Sequence, residues 1–316
     1  MNIALLLASI FTFVELNCEN LFDTRDDSLK LDEEFLPSSS YHWTPYRYWR
    51  KVNHIGQDIL ACSGNGTSMQ LPDLVALTEV ENDSVLFDLT RRSLLRRAGY
   101  EYVMTDGPDL RGIDVALLYS PFTFQFLSSH SLRIEPPKDM RPTRDILYVA
   151  GQLLTGDTLH ILVVHAPSRS GGQVATNAYR MRVARRVCDA VDSVRACSPQ
   201  ARIVVAGDFN DYTTNKSMKL LLQHGLTDIS ASAVGTHGAK GTYRYHGEWG
   251  SLDHILCDST TASRVLDCHI SDPPFLLEED KKYGGVKPRR TYLGPSYKGG
   301  FSDHLPLVAI FRMDSE

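Results

Sequence analysis

Ten short apolar or alternating runs, bounded by turn-forming residues, recur from one end of this chain to the other: 11–17, 74–78, 115–119, 122–127, 146–154, 159–165, 203–206, 252–257, 265–270 and 305–311. Runs of this length, rich in Val, Ile, Leu and Phe, read as strands. Three stretches show helical spacing instead. Residues 85–98 place Leu86, Leu89, Leu94 and Leu95 on one side with arginines opposite; 174–196 turn Met181, Ala184, Val187, Cys188 and Val191 inward; 215–223 form a shorter segment. Many strands, two or three helices, no low-complexity linker and no internal repeat predict one α/β domain over residues 1–316, with paired sheets covered by helices. Residues 63–67 read as a surface turn. The stretch 272–300, with four prolines and five glycines, reads as a loop that either borders a site or forms a solvated insertion.

Two strand ends carry chemistry. Ile203-Val204-Val205-Ala206 stops at Gly207-Asp208-Phe209-Asn210-Asp211, so a buried strand delivers a carboxylate and an amide to its tip, with Asp211 read as a turn residue. Gly300-Phe301-Ser302-Asp303-His304 opens directly into 305–311 and sets a carboxylate and an imidazole beside another strand. Such groups suit metal-assisted phosphate-ester cleavage, which needs a positioned water and donors for charge that builds on oxygen.

Charge narrows the substrates. A formal net charge of −5 on 316 residues, with 42% hydrophobic and 22% charged, describes an ordinary globular chain without the basic face of a sequence-independent DNA binder. Small phosphoesters are therefore favoured over extended polyanions, and nucleic acid stays possible but not favoured. Nothing in the composition sets an oligomeric state. The six cysteines form no C-x-x-C pair and read as buried thiols. Residues 3–14 are largely apolar, too short to span a bilayer, and preceded by no Lys or Arg. Residues 1–9 could be a residual export signal, so a cytoplasmic and an exported protein are both compatible with this start. Residues 11–17 read as the first core strand.

Six short motifs stand in order along the chain: Glu15-Leu16-Asn17-Cys18-Glu19-Asn20-Leu21-Phe22, Leu77-Thr78-Glu79-Val80, Val164-His165-Ala166-Pro167, Gly207-Asp208-Phe209-Asn210, Ser251-Leu252-Asp253-His254-Ile255 and Ser302-Asp303-His304. Their order and strand-end placement resemble the endonuclease/exonuclease/phosphatase superfamily over nearly the whole chain. The resemblance implies a four-layer α/β/β/α sandwich of two mostly antiparallel sheets flanked by helices, with the site where the sheets open. It also implies hydrolysis of a phosphoester with Mg²⁺ or Mn²⁺.

By that resemblance Glu79 is the principal metal ligand, supported by Asn17 and Asp303, with Asn20 as the rival amide. Hard oxygen ligands of this kind suit magnesium. Asp208 resembles the residue that orients or deprotonates the attacking water, and Asn210 a donor to phosphate oxygens. His304 resembles the phosphate-binding histidine and Asp253 the acid that orients it. His254 is the rival of Asp253, since adjacent strand residues point to opposite faces. His165 resembles a second histidine, a phosphate donor or leaving-group acid. Arg111, Arg144 and Arg290, with Arg141 and Arg169, sit in loops and could grip phosphate by forked contacts. Tyr243 and Trp249 form either a pocket wall or core.

The leading expectation is a phosphoesterase acting on a phosphodiester or phosphomonoester. A nuclease acting on DNA or RNA is the alternative within the same chemistry, and it calls for a basic groove with aromatic or apolar wedges. A lipid-headgroup enzyme calls for apolar or basic membrane-facing loops, for which 273–277 is a faint candidate. A non-catalytic binding protein on the same scaffold is the alternative of another class. The full set of acids and histidines speaks against it.

Overall fold

The computed structural model describes residues 10–63, 70–138, 140–169 and 172–312; the segment 1–9 and most of the turn at 63–67 lie outside them. Two six-stranded sheets carry the fold. The first holds β1 (Ile10–Leu21), β2 (Leu74–Val80), β3 (Glu101–Met104), β4 (Asp114–Tyr119), β13 (Val265–Ile270) and β18 (Leu307–Arg312), in the order β13-β18-β1-β2-β4-β3. The second holds β5 (Phe124–Leu132), β6 (Ile146–Leu153), β7 (Thr158–His165), β8 (Arg202–Asp208), β9 (Thr227–Asp228) and β12 (Asp253–Cys257), in the order β5-β6-β7-β8-β12-β9. Six short strands pair as three hairpins: β10 (Tyr243–Tyr245) with β11 (Glu248–Gly250), β14 (Leu277–Glu279) with β15 (Val286–Pro288), and β16 (Tyr292–Leu293) with β17 (Ser296–Tyr297).

Strand alternation builds the layers. On β1, Phe11 and Phe13 meet Leu74, Ala76, Ile161, Val204 and Ile255 between the two sheets. Val14, Leu16 and Cys18 face the other way, onto Tyr48, Val52, Ile55 and Ile59 of α1 (Pro45–Ala61). The second sheet does the same: Val204 and Ala206 of β8 point between the sheets, while Ile203 and Val205 pack on α3 (Gln173–Cys197) and α4 (Lys216–Gln223). Central strands buried on both faces carry continuous apolar runs, which is why those runs were so legible. Each fully buried Phe, Leu or Ile stabilises the fold by roughly 1.5–3 kcal/mol. The four-layer α/β/β/α sandwich is the architecture found. Each sheet has one parallel pair, β1 with β2 and β7 with β8, and is otherwise antiparallel.

Several local expectations change. The single helix expected at 85–98 is broken into α2 (Asp83–Phe87), a wide turn at Asp88–Arg92 and a tight turn at Leu94–Arg97. Ser93 breaks it: its backbone is extended, and its hydroxyl donates to Leu89 O and accepts from Leu95 N, ending one turn and capping the next. Helix α1 was missed, although Thr44 before Pro45 is a standard start signal and Tyr48, Val52, Ile55 and Ile59 follow helical spacing. The stretch 272–300 contains the β14–β15 and β16–β17 hairpins rather than plain loop. A four-residue helix α5 (Ser259–Ala262) links β12 to β13. Four cysteines are buried, Cys268 partly, but Cys197 is exposed; none of the described cysteines is disulfide-bonded. Among the described residues no helix is long and apolar enough to cross a membrane.

Candidate active site

Both parallel pairs deliver polar groups at their C-terminal ends, on the face between the sheets. On β7, the residues Ile161, Val163 and His165 share that face; on β8, Val204, Ala206 and Asp208; on β12, Asp253, Ile255 and Cys257. Register does the rest. His165 lies opposite Asp208, and Asp208 opposite Asp253, so three adjacent strands set an imidazole and two carboxylates in a row. Gly207 permits this alignment, because a Cβ there would lie 1.8 Å from Val164 O and its φ is 142°.

The first sheet faces that row with Asn17 of β1. Plain alternation would turn Glu79 toward the helices with Leu77. The pairing of β2 slips between Thr78 and Val80, and Glu79 adopts φ 61°, which re-aims its side chain into the cleft. Glu79 Oε1 and Asp208 Oδ2 each lie 3.7 Å from His165 Nε2. Glu79 Oε2 accepts from Asn20 N at 2.8 Å.

Three amide donors hold Asp208: Asn210 N at 2.8 Å, Asn210 Nδ2 at 3.1 Å and Asn17 Nδ2 at 3.2 Å. Burial, then repulsion from Asp253, still pushes its carboxyl up to about 7. His304 Nδ1 donates to Asp253 Oδ2 at 2.7 Å, and Thr242 Oγ1 donates to the same oxygen. Burial by itself would lower His304, but the charge and hydrogen bond of Asp253 outweigh it and hold the ring well above its ordinary value. His165 moves the other way, well below its ordinary value, through burial and then the nearby Arg144 and Arg111. At neutral pH the cleft therefore holds one cationic and one neutral imidazole.

The expected ligand set is only partly assembled. Asn17 spends its amide on Asp208 and its oxygen on Glu19 N at 2.9 Å. Asp303 is ion-paired with Arg290 at 2.8 Å, and Arg290 Nε also lies 3.5 Å from Glu19. Among the described residues, the acids and histidine that converge within metal-binding reach of one another are Asp208, Asp253 and His304. Glu79, Asp208, Asp303 and the amide of Asn17 nevertheless offer hard oxygens, and Glu79 Oε1 has no hydrogen bond among the described residues. This donor set fits Mg²⁺ or Mn²⁺ and not a soft metal.

The cleft has a volume of about 610 Å³ and is bordered by Glu79, His165, Asp208, His304, Arg111 and Arg144 among others. Arg290 pairs with Asp303, which borders the cleft, and with Glu19. Arg111 donates to Asn20 Oδ1, and Arg144 to Asp109 and to Ala166 O. Arg169 pairs with Asp211 and Asn215 beneath Tyr212. Asp211 lies in the bend that follows β8, as expected, and also has a structural role. It is fully buried, binds Arg169, Arg180 and Ser217, and its carbonyl accepts from His254. Tyr243 borders the cleft with its ring 4.9 Å from that of His304, whereas Trp249 packs against the core.

Sequence reasoning gave no role to Glu15. It shares the inter-sheet face of β1 with Asn17, is fully buried, and neither carboxylate oxygen has a hydrogen-bond partner. Burial, then Asp253 and Asp208, raise its carboxyl well above the ordinary range. The signal was present as an acid interrupting the apolar face that begins with Phe11 and Phe13.

A family model described as Endonuclease/Exonuclease/phosphatase family matches residues 12–313. Solved structures similar to this chain include an endonuclease/exonuclease/phosphatase family protein from Bacteroides thetaiotaomicron, with 15% identity, 97% of this chain and 99% of that chain covered, and a TM-score of 0.62. A mannosyl-6-phosphatase from the same organism has 16% identity, covers 95% and 98%, and gives 0.59. The catalytic domain of human Nocturnin with bound sulfate has 17% identity, covers 97% and 94%, and gives 0.58. No curated protein matches the sequence.

Proposed function

Because the chain belongs to the endonuclease/exonuclease/phosphatase family, we propose that it is a Mg²⁺- or Mn²⁺-dependent phosphoesterase that cleaves a phosphodiester or phosphomonoester by attack of water. The observation that carries this reading is the cross-strand row His165–Asp208–Asp253 with His304 closing over it in one cleft.

Asp208 suits the base. An ordinary Asp is a weak base at neutral pH, whereas a carboxyl pushed up to about 7 sits near the optimum for accepting a proton from water. Asn17 and Asn210 fix its orientation by three hydrogen bonds. His304, oriented and charged by Asp253, presents Nε2 to the cleft as a donor to a phosphate oxygen. His165, kept neutral, has Nε2 beside Glu79 and Asp208 and can donate one hydrogen bond there. Glu79, with Asn17 or Asp303, would hold the divalent ion. That ion supplies charge neutralisation on the phosphate and acidifies water.

The test is a screen of the purified protein with Mg²⁺ or Mn²⁺ against a bis-aryl phosphodiester, sugar phosphates, inositol phosphates, nucleotides, RNA and DNA. Turnover that persists in excess EDTA would sink metal dependence. Glu79→Gln is expected to raise the metal concentration for half-maximal rate while the thermal transition stays in place.

A further inference from the structure

Beside His304 the cleft wall is aromatic, and it continues outward on the β10–β11 hairpin. Tyr243 and Tyr245 share one face of β10, about 7 Å apart by strand rise, and both border the cleft. The ring of Tyr245 stacks on that of His246, with centroids 4.0 Å apart and planes within 11°. His246 in turn lies 6.2 Å from Tyr283 at 24°. Lys282 Nζ sits 4.7 Å from the Tyr283 ring and covers that end of the ladder. The other end, Tyr245, stays 61% exposed.

This exposed ladder is held rigidly. Arg244 donates to Gly247 O at 3.0 Å, to Gly284 O at 2.8 Å and to Val286 O, and lies 3.5 Å from Asp280, which ties the β10–β11 hairpin to the 280–286 turn. Gly247 has φ 87°, and a Cβ there would meet Tyr283 Cβ at 2.7 Å, so glycine is what lets the third ring approach. These bonds fix the two hairpins against each other and so set the spacing of the three rings.

Charge says what kind of group the rim receives. The arginines bordering the cleft are engaged: Arg111 with Asn20, Arg144 with Asp109 and Ala166 O, Arg169 with Asp211, Asn215 and the Tyr212 ring. Of these three, Arg111 is exposed and bonded through one nitrogen to Asn20, so it alone keeps several donors free for a second phosphate, as in an inositol polyphosphate. A planar, uncharged ring would find a free aromatic face.

We propose that the Tyr245–His246–Tyr283 ladder is a stacking subsite for an unpaired nucleobase carried by the phosphoester that occupies the cleft. The inference rests on the phosphoesterase reading for its anchoring phosphate. Stacking of one base on an aromatic side chain contributes about 1–3 kcal/mol, or roughly 5- to 150-fold in affinity.

Equilibrium binding to the full chain in EDTA separates this from hydrolysis. AMP should bind at least about tenfold more tightly than ribose 5-phosphate, which carries the same phosphate without the base. Tyr245→Ala should bring the two affinities together and Tyr245→Phe should restore the gap; Tyr283→Ala should narrow it. Single-stranded hexathymidylate that binds with the same Tyr245 dependence would place the base on a nucleic-acid strand, and AMP alone would place it on a free nucleotide. Equal binding of AMP and ribose 5-phosphate overturns the subsite, as does a gap untouched by Tyr245→Ala or AMP failing to bind at millimolar concentration. A base preference in a protein that hydrolyses no phosphoester with Mg²⁺ or Mn²⁺ would instead refute the phosphoesterase reading and leave the subsite standing.

Discussion

Adjacent residues of β12 each join a carboxylate–imidazole pair, and the two pairs differ in one ring nitrogen. Asp253 faces the cleft and accepts from His304 Nδ1 at 2.7 Å. His254 faces the helices, donates from Nδ1 to Asp228 at 2.8 Å and from Nε2 to Asp211 O at 2.9 Å. Both rings are buried and both are held above their ordinary pKa against the lowering effect of burial, chiefly by their carboxylates. The His254 pair is closed, with every donor used. The His304 ring keeps Nε2 without a hydrogen-bond partner among the described residues and turns it to the cleft. A buried ion pair is thus no sign of catalysis; a free donor on an oriented ring is.

The largest effect that tests this contrast is on turnover. His304→Ala should lower kcat/KM by roughly 10²–10⁴-fold, and Asp253→Asn should follow it in direction. His304→Ala also leaves the buried Asp253 without its imidazole, but Thr242 still donates to that carboxylate and the vacated space opens on the cleft, so the loss of stability should be smaller than for His254→Ala. If His254→Ala proved the more damaging to turnover per folded molecule, the facing of β12 would be misjudged.

Stability should invert the order. His254→Ala strands Asp228 and the Asp211 carbonyl in a buried setting, a loss of roughly 3–5 kcal/mol for a broken buried pair. Urea unfolding of both alanine variants measures the difference; equal losses would erase the distinction between closed and open pairs.

The closed pair should also write itself into the pH dependence of stability. His254 is raised, so its contribution is complete below the ordinary histidine pKa and fades as pH climbs through the folded value. Asp228 is lowered, because donation from His254 outweighs burial, so its contribution is complete above the ordinary carboxylate range and fades as pH falls through the folded value. The gap in melting temperature between the native protein and Asp228→Asn should be widest between about pH 4 and 6.5. A gap that is flat across pH 3–9 would mean the pair contributes no charge-dependent stability.

The smallest expected effect concerns Glu15, which shares the cleft side of the sandwich but has no partner. Glu15→Met removes a buried unsatisfied carboxyl beside Asp208 and Asp253, and should raise stability by about 1–3 kcal/mol. Destabilisation on urea unfolding would show that Glu15 is structurally satisfied.

Periodicity carried most of the architecture. Strands β1, β2, β4, β7, β8 and β18 bury both faces, so sequence shows them as uninterrupted apolar runs. Helix α3 shows its 3.6-residue spacing because one side packs on the second sheet. The period of two allowed only one of Asp253 and His254 to enter the site, since a strand cannot turn neighbouring side chains to one face, and the family resemblance pointed to Asp253. Short hairpins such as β16–β17 left no trace, having too few residues to show a period. The break at Ser93 depends on where its hydroxyl bonds, which composition does not specify.

At the site, the residue types and their strand-end positions were fixed by the linear chain, because a polar group that follows a buried run has only the sheet edge to occupy. Tertiary structure decided what each group faces. The register that sets His165, Asp208 and Asp253 in one row, the slip that re-aims Glu79, and the capture of Asp303 by Arg290 all join residues 13 to 45 positions apart. Such contacts depend on strand register and on how the chain folds back on itself, and local sequence carries no term for that.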